Sequence, residues 1–223
     1  MEKLEDAHKY QLWKSHLLRN GLKIKNTEEV YTRRNANGEV LFSLLMLDAE
    51  TPEGNRIPPI CFLKGEVVVV MVCLIDRDTG EKYLVLVRQR RIAEGGITCE
   101  HPAGMVDGIK TPLEIAVQEI QEETGLSVPC TQLHPLLHNR RLFPSTGTSD
   151  ECMYFFFTEQ VMSRREMLQI SERKTGVDDE HITTLVLPFE EAHRQMNNIN
   201  CILLNLAYLK QAEDWELLKK LSL

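Results

Sequence analysis

Two apolar runs dominate the hydropathy pattern, residues 67–75 and residues 83–87, separated by the polar stretch DRDTGEK. Runs this short and this rich in Val and Leu predict strands covered on both faces, at the centre of a sheet. The Asp78-Thr79-Gly80 turn predicts that they pair as a hairpin. Upstream, residues 4–19 carry Leu4, Ala7, Leu12, His16 and Leu17 at helical spacing, with Trp13 as an anchor and Gly21 as a stop, which predicts an amphipathic helix. Residues 22–46 hold two β-like runs about a turn at 35–38, the stronger being 40–47. A segment around 57–63 is interrupted by Pro58 and Pro59, which suits an edge strand or a crossing. Downstream, ITCE opens a short strand at 97, further strands are expected at 133–139, 153–158 and 183–188, and helices at 189–197 and 199–220.

The best-signalled element is a helix over residues 111–125. Thr111 can cap it, Pro112 can take its first position, Glu114 completes a capping box and Gly125 ends it. At about 100° per residue, Leu113, Ala116, Val117 and Ile120 form one stripe that seeks a core. Glu119, Glu122 and Glu123 gather on the adjacent arc, where each like-charge pair costs a few tenths of a kcal/mol in an isolated helix. A solvated acidic face is the plain reading of such a cluster by itself. A hard cation such as Mg²⁺ or Mn²⁺ would remove the repulsion, because carboxylates are oxygen ligands.

Composition narrows the classes. The 223 residues suit one ordinary domain or a core domain with an added arm, and an apolar fraction of 43% supports a real core. A net charge of -7 argues against nucleic-acid binding as the main activity. Six cysteines without a C-x-x-C pair read as reduced thiols of an intracellular protein. The charged N-terminus is no secretory signal, and no apolar run reaches membrane-spanning length. The expectation is a cytoplasmic protein. Mixed strand and helix order predicts an α+β fold.

The stretch from Gly104 to Leu126 resembles the Nudix box, G-x5-E-x7-R-E-U-x-E-E-x-G-U, with U a bulky aliphatic. Gly104, Glu119, Ile120, Glu122, Glu123, Gly125 and Leu126 match at the family's spacing. Lys110 stands where the pattern has Glu, and Gln118 where it has Arg, so a neutral amide replaces the guanidinium that holds the glutamates in register. The resemblance implies an α/β/α sandwich around a mixed β-sheet. It further implies an N-terminal arm, residues 1–62, that exchanges across a homodimer, followed by a hydrolase domain, residues 63–223.

Several segments outside the helix resemble the ADP-sugar diphosphatase branch of that family. Gln89-Arg90-Arg91 is similar to its Q-x-R, which implies that Arg91 meets the diphosphate, with Arg88 and Arg90 as weaker candidates; alone, they read as surface arginines. Glu100-His101-Pro102-Ala103-Gly104 resembles E-x-P-A-G, whose alanine carbonyl ligates metal, so Ala103 joins Glu119, Glu122 and Glu123 as a metal ligand. Glu100 and Met105 are then substrate contacts, and His101 is a packed or exposed neighbour. LFPSTGTSDE, residues 142–151, resembles S-P-G-x-S-(D/N)-E, with Thr146 in place of Pro, and nominates Ser145 and Glu151 for substrate binding; alone, it reads as a turn. TGVDDEHI nominates Glu180 as the general base, with Asp178 in reserve and Glu122 sharing the catalytic role. Tyr31 and Phe42 are possible base stackers in the arm, although core packing is their plainer use.

Together these imply metal-dependent hydrolysis of a nucleoside diphosphate sugar, ADP-ribose or ADP-glucose, to AMP and a sugar phosphate. The alternative is a binding protein that kept the nucleotide site while its catalysis decayed. The expected partner is the small-molecule substrate, with neither nucleic acid nor membrane.

Overall fold

The computed structural model describes residues 1–106, 108, 110–176 and 181–221. It divides into two units, Met1–Val67 with Met105–Lys110 and Arg141–Met153, and Val68–Gly104 with Thr111–Arg140 and Tyr154–Leu223.

In the first unit, helix α1 (His8–Arg19) precedes strands β1 (Lys23–Arg34), β2 (Val40–Glu50) and β3 (Ile60–Leu63), which pair antiparallel in the order β1-β2-β3. The turn at 35–38 forms because Asn35 Oδ1 accepts from the backbone N–H groups of Asn37 and Glu39, an Asx arrangement. Alternation along β2 places Leu45 and Leu47 in a core with Cys61, Leu63, Tyr10 and Trp13. The predicted face of α1 is partly wrong. Leu4–Asp6 form a separate 3₁₀ turn, and Ala7 is extended, so the helical phase restarts at His8. Its buried face is Lys9, Tyr10 and Trp13 rather than Leu12 and His16.

In the second unit, β4 (Glu66–Asp76) and β5 (Lys82–Arg90) form the hairpin expected from the apolar runs. The consecutive residues 67–74 and 83–87 are all buried, so the sheet is covered on both faces there, as the lack of alternation required. Beside them lie β6 (Ile97–Glu100), β7 (Ala103–Met105), β8 (His134–Pro135), β9 (Cys152–Met162), β10 (Lys174–Thr175) and β11 (Ile182–Pro188). The sheet runs β10-β11-β5-β4-β9-β8, with β6 on β5 and β7 on β4. With helices α2 (Pro112–Thr124), α3 (Arg164–Ile170), α4 (Phe189–Gln195), α5 (Ile199–Gln211) and α6 (Trp215–Lys220), the chain has the mixed-sheet α+β fold expected.

Three further points differ from expectation. The strand at 133–139 is only two residues long, because Leu137, His138 and Asn139 turn left-handed directly after Leu136 N makes its bond to Phe155 O. The single helix at 199–220 breaks at Glu213, φ 54°, after which the Asp214 side chain caps α6 through Leu217 N. Helix α3 was not anticipated, although Ser163 and Glu166 form a full capping box that the sequence displays as S-x-x-E.

Candidate active site

Helix α2 forms as its sequence signals. Thr111 accepts from Glu114 N at 3.3 Å, Glu114 accepts from Thr111 N at 2.7 Å, and Gly125 closes the helix at φ 72°. The core face is Ile115, Ala116 and Ile120, with Leu113 and Val117 only half-buried. Glu123 is 3% exposed, so this carboxylate is no solvated surface group. A carboxylate removed from water needs partners, and Ala103 N donates to Glu123 Oε2 at 2.9 Å. Glu119 lies on the same segment: a Cβ placed on Gly104 would sit 1.9 Å from Glu119 Oε1. Glycine is therefore the one residue that lets this backbone meet that carboxylate.

Glu119 and Glu123 thus converge on the Ala103-Gly104 backbone, one turn of helix apart. Glu122 faces along the helix instead, where Gln118 Nε2 donates to its Oε1 at 2.9 Å. The end of α2 is tied to β10 and the residue after it. Thr175 Oγ1 donates to Glu123 O, and Gly176 N donates to Glu122 O at 3.2 Å. Glu180, Asp178 and Asp179 lie outside the described residues.

Arg91 follows the end of β5, and its guanidinium grips Glu100 at the end of β6 with two parallel bonds, Nε to Oε1 and Nη2 to Oε2, both 2.9 Å. Glu100 is buried, its side chain 8% exposed, whereas the Arg91 side chain is 46% exposed. Thr98 Oγ1 adds a third donor to Glu100 at 2.6 Å. Fork geometry of this kind fixes the guanidinium plane. Arg88 pairs with Glu172 at 3.5 Å and Arg90 donates to Gly95 O at 2.7 Å.

Sequence reasoning missed the support beneath this turn. His101 is fully buried; its Nε2 lies 2.8 Å from Asn205 Oδ1, and Asn205 Nδ2 lies 3.1 Å from His193 Nδ1. Its backbone N–H donates to Cys201 Sγ at 3.4 Å. Burial, chiefly, depresses the His101 pKa to about 4, and burial pushes the Cys201 thiol up to about 12. The one available signal was an asparagine in the otherwise apolar run ILLNLAYL.

The other nominated residues belong to the first unit. Met105, half-buried, ends β7. Ser145 is exposed, with Oγ 3.3 Å from Thr148 Oγ1. Glu151 is ion-paired with Lys64, its side chain 16% exposed. Tyr31 is 56% exposed, and the Phe42 ring is tilted against that of Phe62 at 5.3 Å, so Tyr31 does not serve the core.

The donor set around Ala103-Gly104 suits a hard divalent cation, since the buried Glu123 and half-buried Glu119 carboxylates both meet this backbone. Among the described residues no three His, Cys, Asp or Glu side chains are gathered to hold a metal; Glu119 and Glu123, with a main-chain carbonyl oxygen, are the donors that could hold one.

A NUDIX domain model matches residues 65–201, the region that contains α2, the 97–105 turn and Arg91. The chain belongs to the Nudix family. It is 32% identical over 167 residues to Nudix hydrolase 14, chloroplastic, of Arabidopsis thaliana, covering 71% of this chain and 53% of the relative. It is 33% identical over 121 residues to the GDP-mannose pyrophosphatase of Escherichia coli, covering 52% of this chain and 58% of that protein. The chain therefore spans little more than half the length of these curated relatives. The crystal structure of an ADP compounds hydrolase superposes with a TM-score of 0.59 at 18% identity, covering 86% of this chain and 95% of the other, a likeness of fold.

Proposed function

We propose that this chain hydrolyses the diphosphate of a nucleoside diphosphate sugar, with ADP-ribose or ADP-glucose as the first substrates to test, giving AMP and a sugar phosphate. The observation that carries this reading is the convergence of Glu119 and Glu123 on the Ala103-Gly104 backbone beside a buried Glu100 gripped by Arg91. Nudix hydrolases act on pyrophosphate bonds and generally use divalent metals. In this reading Glu119, Glu123 and the Ala103 carbonyl hold Mg²⁺ or Mn²⁺, and Glu122 shares a second ion. Such an ion supplies Lewis-acid polarisation of the diphosphate and activation of a water. Glu180 would act as the general base toward an attacking water. Arg91 offsets the charge that develops on phosphate oxygens. Glu100, Met105, Ser145 and Glu151 contact the substrate.

A second reading, a nucleotide-sugar sensor with weakened catalysis, is favoured by one contact, the Gln118 amide on Glu122. It holds that carboxylate without the charge-assisted strength of an arginine. The deciding experiment is AMP or GMP release from ADP-ribose, ADP-glucose and GDP-mannose with Mg²⁺, Mn²⁺ or EDTA. Metal-dependent nucleotide release supports the hydrolase; calorimetric binding without turnover supports the sensor.

We also propose a homodimer formed through the arm. Its support is the second face of the β1-β2-β3 sheet, where Tyr31, Met46, Ile60 and Phe62 are exposed together, an apolar row of the kind that marks association surfaces. Sedimentation of the wild type and of Met46→Glu tests it: a monomeric wild type removes the dimer. The proposed compartment is the cytoplasm, which agrees with all six cysteines being free thiols. No helix among the described residues is long and apolar enough to cross a membrane.

A further inference from the structure

The loop of residues 142–151 is held by the arm's own sheet, and one dipeptide does most of the holding. Phe62 N donates to Thr148 O at 2.7 Å, Ser149 Oγ donates to Phe62 O at 2.9 Å, and Phe62 and Ser149 form a parallel bridge. The loop therefore extends the edge of β3 before it reaches Asp150. There the carboxylate Oδ1 accepts from both Lys64 N, 2.7 Å, and Gly65 N, 3.1 Å. Other groups of Lys64 and Gly65 serve the same end. Lys64 Nζ pairs with Glu151, Lys64 O accepts from Lys9 Nζ at 3.3 Å, and Gly65 O accepts from Cys152 N at 3.4 Å.

Gly65 adopts φ +90°, and a Cβ there would meet Lys9 Cβ at 3.3 Å, so the backbone that presents these two N–H groups depends on glycine. Lys9 is itself 9% exposed and also donates to Leu41 O at 2.6 Å. That ammonium is thus held by two main-chain carbonyl oxygens, those of Leu41 and Lys64. The adjacent acids therefore divide the work: Asp150 directs its charge to main-chain donors, while Glu151 remains a side chain aimed by Lys64.

We infer that Asp150 is a positioning residue, which fixes Ser145 and Glu151 for substrate by clamping the loop to the Lys64-Gly65 backbone, and that Lys64 sets the direction of the Glu151 carboxylate. This rests on the reading above that Ser145 and Glu151 contact the substrate. The clamp acts on binding and not on the chemical step, so its loss shows in KM with kcat preserved.

The test uses the full chain with an ADP-sugar and Mg²⁺. Asp150→Leu removes the acceptor, Asp150→Asn keeps an amide oxygen in its place, and Lys64→Met leaves every backbone bond while removing the aim of Glu151. Asp150→Leu is expected to raise KM about tenfold or more with kcat within about threefold of wild type, and to speed amide exchange at Lys64, Gly65 and residues 145–151. Asp150→Asn is expected to restore most of both, and Lys64→Met to raise KM about threefold or more. Wild-type KM and exchange in Asp150→Leu would overturn the inference, as would a fall in kcat at unchanged KM. If Asp150→Leu does not fold, Lys64→Met decides, and an unchanged KM there overturns it. Ser145→Ala and Glu151→Gln separate the two readings: wild-type KM in both removes the substrate role of the loop, while amide exchange still reports whether Asp150 clamps it.

Discussion

Helix α2 and the loop of residues 142–151 both place adjacent acidic residues where candidate chemistry is expected, and they hold them by opposite means. In α2 the cap, the stop and the spacing of Glu119, Glu122 and Glu123 are all local, set within a few residues of each other. In the loop the partners of Asp150 and Glu151 lie 85–87 positions earlier in the chain. Local hydrogen bonds form with the helix itself; long-range ones depend on an arm that must already be folded. The difference predicts that substitutions in α2 act on chemistry or on helix stability separately, whereas substitutions around Lys64-Gly65 disturb loop and arm together.

The largest effects should come from the acidic face. Glu119→Gln and Glu123→Gln should each lower kcat about 10³-fold while far-UV circular dichroism stays that of the wild type; full activity in either would remove its metal role. Acid should weaken the support beneath that face. His101 is held neutral with a pKa depressed from 6.5 to about 4, so its contribution is complete above pH 6.5 and is lost as pH falls towards 4. At about 1.4 kcal/mol per unit that is about 3 kcal/mol. Denaturant unfolding from pH 7 to pH 4 should show this slope, and His101→Leu should flatten it.

Gly104→Ala should cost about 10²-fold in kcat by displacing Glu119, since the new Cβ would fall inside that carboxylate; near-wild-type turnover would mean that the turn adjusts without loss. On the other side of the comparison, Gly65→Ala should destabilise the protein by about 1–2 kcal/mol, because φ +90° is left-handed space and Lys9 crowds the added methyl. Thermal unfolding together with KM reads both consequences. Thr111→Ala should have the smallest effect, about 1 kcal/mol of stability from the lost cap, with kcat unchanged. A comparable fall in kcat would show that the cap and the carboxylates are coupled.

Residues 67–75 and 83–87, the 35–38 turn and the two ends of α2 were legible because each is specified by near neighbours: unbroken apolar runs, an Asx turn, a capping box with a glycine stop. The three glutamates were visible for the same reason, as was the resemblance of their spacing to the Nudix box. Folding decided what periodicity cannot carry. It made Glu123 a buried carboxylate seated on Ala103 N, tied Arg91 to Glu100 and put Asn205 under His101. It also reset the phase of α1 at Ala7 and gave the 142–151 loop to the arm's sheet edge. Most of these join residues far apart in the chain, and such a partner is chosen by which groups must be satisfied once water is excluded. A linear sequence fixes spacing along one element; burial alone selects the donor that an Asp150 or a Glu123 will find.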